Sequence, residues 1–342
     1  MEHIKHVDVY KGIAIITVVL WAIGIMPARY NVWVQYALPG MFLAQYGILV
    51  ANDKVQKTAD KFKRIMLPYI CLSTLLIAIY SLGVIVKNTT IDYKSCFISF
   101  LSFGGMGMLW FLPAYFIAVC AYDVIRKSIG RRFTVVVCLV IIVAGHFFIG
   151  FLDNIEPSLL EGREYAYCLS VAIWRGVLAM PFILLGEYIE LIICHTQNRK
   201  YLRGIVGLLA CAASVFIMLY NNVPSFEEMF FGNELKYWPT ALLAVSSIAM
   251  LAGWVNESKV LEWLGVNAKA IYISLFVFGT VAVSVKLGAI CLNKFDNIFV
   301  SKVATFLATV VLEGIWVVII GRVSELYKKS GDIKVKTGES KK

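Results

Sequence analysis

Ten apolar stretches, separated by short polar connections, constrain this chain more than any other feature. They lie at roughly 12–28, 33–51, 65–86, 107–125, 133–152, 174–194, 204–220, 238–255, 269–292 and 302–324. A helix crosses a hydrocarbon core of about 30 Å with about 20 mostly apolar residues. Backbone polar groups find no water there, and a helix pairs them within its own segment. Apolar and polar residues do not alternate at strand period, which argues against a membrane β-barrel. Only 16% of the residues are charged and 60% are hydrophobic, so no ordinary soluble domain is visible. The expected fold is an all-α integral membrane protein, one bundle of about ten helices over residues 1–327. The tail 328–342 is rich in lysine, too polar to pack, and expected to be disordered.

Charge orients the bundle. Lys54, Lys57, Lys61, Lys63 and Arg64 crowd one connection, Arg126, Lys127, Arg131 and Arg132 another, and Arg199, Lys200 and Arg203 a third. Between them lie acidic connections, one with Asp153, Glu156, Glu161 and Glu164, another with Glu227, Glu228 and Glu234. Positive charge stays on the cytoplasmic side, so both termini are expected there. The net charge of +10 is explained by this bias, and no nucleic-acid partner is expected. Eight cysteines occur without a Cys-x-x-Cys pair, and no metal site or disulfide framework is read from them. The Gly-rich apolar piece 96–106 reads as a re-entrant or interfacial segment.

Ionisable residues inside spans are costly and point to function or pairing. They are Lys11, Asp123, His146, Arg175, Glu187, Glu190, Lys286 and Glu313. Asp123 lies one turn from Arg126 and Lys127 and can pair with them. Glu187 and Glu190 sit near a span end, where snorkelling or pairing suffices. Lys286 and Glu313, on neighbouring spans, can neutralise each other. His146 is the histidine placed deep in a span. It reads either as a hydrogen-bonded core residue or as a general base, since imidazole titrates near neutrality.

Several motifs together resemble the integral-membrane acyltransferase-3 family, which O-acylates carbohydrates. Asp8, Lys11, Gly12, Ile13, Val18 and Val19 are similar to its opening pattern. Leu38-Pro39 through Gly47, Arg64 through Tyr69, and Arg175 with Pro181 through Gly186 resemble later segments. Leu109-Trp110-Phe111-Leu112-Pro113-Ala114 is the most specific match, and Trp263-Leu264-Gly265 through Ile271-Tyr272 resembles the start of the penultimate region. Two departures stand out. Ala22, eleven residues after Lys11, occupies the place of a functional histidine, and Leu275 that of a second one. His146 lies about 20 Å along its span and Ala22 about 16 Å beyond Lys11, so the two share a similar depth.

The resemblance implies acyl transfer, with acyl-CoA (acetyl-CoA) as co-substrate and no bound cofactor. The acceptor would be a surface polysaccharide or its lipid-linked glycan precursor, and the setting the inner membrane of a bacterium. Lys11, Lys63 and Arg64 would meet the donor phosphates. His146, Lys11, Asp8 and Arg175 form the expected catalytic set, and Trp110, Tyr272 and Glu313 the acceptor contacts. The missing histidines leave a second reading open, a non-catalytic or transport-like member of the same fold.

Overall fold

The computed structural model describes residues 5–339 apart from 56, 88–91, 155–161, 197 and 256, and gives the backbone alone for 5, 83–87, 153 and 323–339. The acidic connection with Glu156 and Glu161 therefore lies outside the described residues. Among the described residues, fourteen α-helices follow in order: α1 (Lys5–Ala22), α2 (Ala28–Ala51), α3 (Thr58–Lys61), α4 (Leu67–Lys87), α5 (Tyr93–Leu101), α6 (Phe111–Asp153), α7 (Glu164–Leu178), α8 (Met180–His195), α9 (Lys200–Met218), α10 (Glu234–Val255), α11 (Lys259–Val266), α12 (Ala268–Phe276), α13 (Thr280–Phe295) and α14 (Ile298–Glu339). A π-turn, Phe62–Met66, joins α3 to α4, and a 3₁₀ turn, Gly107–Trp110, leads into α6.

The chain is all-helical and membrane-embedded. Among the described residues seven helices are long and apolar enough to cross a membrane, or eight if the bent pair α12–α13 is one crossing. The sequence predicts ten, and the difference has two causes. The first span begins at Lys5 rather than residue 12, so α1 carries Lys5, Asp8 and Lys11. The expected spans 107–125 and 133–152 fall in one helical run of 46 residues. At 1.5 Å per residue that run is about twice as long as one crossing of ~30 Å requires. It is broken at Gly130, whose φ of 75° and ψ of 166° no helix accommodates. The expected re-entrant piece forms α5 and a turn through Phe103, with φ 60°, and Gly105, with φ 79°. The polar tail, expected to lack structure, continues α14 as far as Glu339.

The buried core is α1, α2, α8 and α10, while α4, the second half of α6, α9 and α14 show apolar residues outward. On α6 the exposed row is Val136, Leu139, Val140, Val143 and Phe147, a helical stripe suited to lipid. Two helix crossings are tight enough to exclude any side chain. A Cβ on Gly265 would lie 1.9 Å from the Asp8 carbonyl oxygen, and one on Gly12 would lie 2.1 Å from that of Leu261. The same holds where α2 meets α8: a Cβ on Gly47 or on Gly186 would lie 1.9 Å from a backbone oxygen. Small residues let membrane helices approach this closely, and close packing drives their association.

Buried charges fasten the basic end of the bundle. Lys61, only 3% exposed, pairs with Asp123 rather than leaving it to Arg126 or Lys127. The Tyr46 hydroxyl donates to Asp123, 3.0 and 2.9 Å from its two oxygens. Arg126 instead reaches Glu187 at 2.9 Å, where the Tyr122 hydroxyl also donates at 2.6 Å. Glu190 accepts from Asn52 at 2.9 Å and lies 2.8 Å from His6 Nε2. The expected Lys286–Glu313 pair does not form. Lys286 is exposed, and the Glu313 oxygens take the hydroxyls of Ser274 and Thr280 beside the 64° bend between α12 and α13.

Candidate active site

Three adjoining cavities run through the bundle along α1, α2 and α12. The first opens at the basic end and has a volume of about 280 Å³. Its polar wall is Lys11, Gln45, Arg64, Tyr115, Lys269 and Tyr272. Lys11 stands 3.0 Å from Asp8 one turn earlier on α1, so the ammonium is held in place. Arg64 comes from the π-turn. Within that widened turn its carbonyl accepts the Lys269 ammonium at 3.0 Å, which joins α12 to the α3–α4 corner. Such turns recur at functional sites because they leave backbone groups free. Three cations around one partly enclosed space suit a polyanionic ligand.

Phe42, Phe111 and Tyr272 narrow the path to a neck of only about 10 Å³. The three rings meet in tilted and edge-on contacts, with centroids 5.8–6.3 Å apart. The Tyr272 hydroxyl donates to the Met108 carbonyl at 2.7 Å, which fixes its ring across the neck. Beyond lies a cavity of about 180 Å³ with Trp21, Gln35, Trp110, Ser225 and Glu227 in its wall. Lys11 and Trp21 mark the two ends on α1, about 15 Å of helical rise apart.

The structure brings many of the expected residues to this path. Lys11, Arg64 and Tyr272 line the basic cavity, Asp8 supports Lys11, and Trp110 lines the neck and the far cavity. Trp110 is buried, with Phe226 stacked 6.1 Å away and the Arg175 guanidinium 5.7 Å from its ring centre. It frames the far cavity and is itself covered, whereas Trp21, partly exposed, presents its ring to that cavity. Arg175 stands behind Trp110 and lines none of the three cavities; one N–H reaches the Gly104 carbonyl at 3.2 Å, and Nε has no hydrogen-bond partner among the described residues. Lys63 is exposed and does not line the cavity. Glu313 is satisfied at the α12–α13 bend, away from the path.

His146 is not in the pocket. Its side chain is 66% exposed on the outside of α6 and lies 3.2 Å from Glu234. The buried stripe of this helix runs through Cys138, Gly145 and Ile149. One residue on a helix turns the side chain by about 100°, which carries His146 off that stripe. The expectation that His146 serves as a base inside the bundle fails on direction, because its imidazole points away from the cavities.

Several lining residues escape the sequence reading, among them Gln45, Lys269 and Glu227. Gln45 is a polar side chain inside an apolar span, a signal that could have been followed. Lys269 lies inside the quoted Gly265–Tyr272 motif, where it reads as a boundary charge. Glu227 reads as one acid of a solvated loop, yet it enters the far cavity. Burial pushes its carboxyl up, while Arg175 and then Trp110 hold it down.

The fold is a polytopic helical bundle with adjoining internal cavities, cationic at one end and acidic and aromatic at the other. A family model, Acyl_transf_3, described as an acyltransferase domain, matches residues 4–317. The chain belongs to this acyltransferase-3 family, as a multi-pass membrane protein. Comparison with curated proteins and with solved structures found no match.

Proposed function

We propose that the protein is a membrane O-acyltransferase that uses acyl-CoA from the cytoplasm, acetyl-CoA in the simplest case. Its acceptor is a hydroxyl of a surface polysaccharide or of the lipid-linked glycan precursor, in the inner membrane of a bacterium. The observation that carries this reading is the path itself. Lys11, Arg64 and Lys269 at one mouth suit the donor phosphates, and Trp21, Gln35 and Glu227 at the other suit a sugar. The aromatic neck between them would exclude water and hold the flexible thioester arm. The acceptor oxygen attacks the thioester carbonyl, the C–S bond breaks, and an ester and a thiol leave by opposite mouths. Lys11, which lines the basic cavity next to the neck, is the cation on the path available to the developing oxyanion, while Arg175 braces Trp110 from behind. Asp8 holds Lys11 in register for the donor.

In the accompanying topology the chain crosses ten times and both termini are cytoplasmic. The basic mouth then faces the acyl-CoA pool. The positive-inside bias supports this orientation, and the break at Gly130 supports two crossings within α6. Reporter fusions after Lys61 and after Arg199 are expected to read cytoplasmic, and one after Glu228 external. A cytoplasmic signal at Glu228 would sink the model.

The direct test is acyl transfer by purified protein in lipid nanodiscs with acetyl-, propionyl- and succinyl-CoA. Comparison of base-released acyl groups in the surface glycan, with and without the gene, identifies the product. Absence of transfer with all three donors, and an unchanged glycan, would favour a transport-like member of the family instead.

A further inference from the structure

The connection between α9 and α10 is folded inward, although its sequence reads as an acidic surface loop. Asn221 closes it: its Oδ1 accepts from the Asn233 amide at 2.8 Å, and its Nδ2 donates towards the Asn233 carbonyl at 3.3 Å. Ser225 and Phe230 exchange two backbone hydrogen bonds, of 2.7 and 2.9 Å. Met229 takes a φ of 58°, and Phe226, Met229 and Phe231 are buried against the bundle. This anchoring is more than a solvated acidic loop requires. Its effect is to set Glu227 into the wall of the far cavity while Glu228 stays exposed. Among the described residues, Glu227 is the carboxylate that lines the path, and no histidine does.

We propose that Glu227 is the catalytic base, taking the proton of the acceptor hydroxyl in the far cavity as that oxygen attacks the acyl carbonyl presented at the neck. This rests on the acyltransferase reading above. The acceptor O–H bond breaks and its proton passes to the Glu227 carboxylate. The O–C bond forms, and the C–S bond breaks with its electron pair staying on sulfur. The proton on Glu227 then passes to the thiolate, directly or relayed through water, so the thiol leaves and the carboxylate returns to its starting state. The surroundings fit the role. Burial and the Glu228 charge raise the affinity of Glu227 for a proton, and Arg175 and Trp110 limit the rise. Tyr272 faces it from α12. A base moved towards neutrality is a better base at neutral pH.

The test uses the full chain in membrane vesicles with radiolabelled acetyl-, propionyl- and succinyl-CoA, reading base-labile label in the glycan. Glu227→Gln is expected to lose at least about a hundredfold in rate, in line with general-base catalysis. Glu227→Asp should keep a measurable fraction. CoA affinity of the purified variants should match wild type. The wild-type rate should fall as pH drops and Glu227 takes up a proton, and this acid limb should vanish from the residual Glu227→Gln rate. Wild-type turnover by Glu227→Gln, or retention of its acid limb, would overturn the proposal. So would loss of CoA binding together with activity, which would mark Glu227 as structural. A wild-type chain inert with all three donors would overturn the acyltransferase reading itself, a result distinct from any failure of Glu227.

Discussion

The two mouths of the path are made of different material. At the basic end the wall is helix against helix, set by glycines that lie against the opposing backbone, Gly12 against Leu261 and Gly265 against Asp8. At the far end part of the wall is a loop, held by Asn221 and by three buried apolar side chains. A rigid mouth suits a ligand that is the same at every turnover, such as the nucleotide of acyl-CoA. A loop-built mouth can change with the acceptor while the helices stay as they are. Mutations at the two ends should therefore separate donor effects from acceptor effects.

The largest effect is expected at the helix crossing. Gly265→Val places a side chain against the Asp8 carbonyl, where the opposing atom is backbone and cannot swing aside. Overpacking of this kind typically costs about 1–3 kcal/mol. Thermal unfolding in detergent should show a lower Tm, and CoA binding and transfer should both be lost. A stable, active Gly265→Val protein would mean that this mouth is not set by the crossing.

Next comes the cationic wall. A hydrogen bond to a charged group is worth about 1.5–3 kcal/mol, or roughly tenfold to 150-fold in affinity. The double change Arg64→Ala with Lys269→Ala should raise the donor KM by about a hundredfold, and Lys11→Ala by about tenfold, with normal expression and acceptor KM unmoved. An acceptor KM that rises while the donor KM holds would reverse the assignment of the two ends.

Trp21→Ala probes the far mouth. Aromatic contacts contribute about 0.5–1.5 kcal/mol, so the acceptor KM should rise by about fivefold and CoA affinity should stay constant. The smallest effect is expected from His146→Gln, which should stay within about twofold of wild type in rate because the imidazole lies outside the path. A large loss there would place chemistry on the outer face of α6 and break the comparison altogether.

The legible parts of this molecule follow the same division. Lys11, Arg64, Trp110 and Tyr272 belong to helical motifs, and reading those motifs was enough to find them. Hydropathy also located nearly every helix. It did not give the direction of a side chain around a helix that is apolar on all faces, which is why His146 was assigned inward and Gln45 was passed over. Charge pairing failed for a related reason. Lys61 finds Asp123, and Glu313 finds two hydroxyls, through three-dimensional neighbours that sequence spacing does not contain. Glu227 was the hardest to see. Nothing local distinguishes it from Glu228, since only the fold of the whole loop turns one inward and the other out.

The crossing of α1 with α11 also has a consequence for the order in which the protein is made. The basic cavity takes its wall from Lys11 and Arg64 near the start of the chain and from Gly265, Lys269 and Tyr272 near its end. A nascent chain carries the early half of the wall for most of its synthesis with nothing opposite it. The site closes only when α11 and α12 have emerged and docked. A ribosome stalled before that point releases a fragment in which the basic cavity has no opposite wall. The same geometry allows the chain to be divided between α10 and α11 and expressed as two pieces, with activity returning only where α1 and α11 cross again.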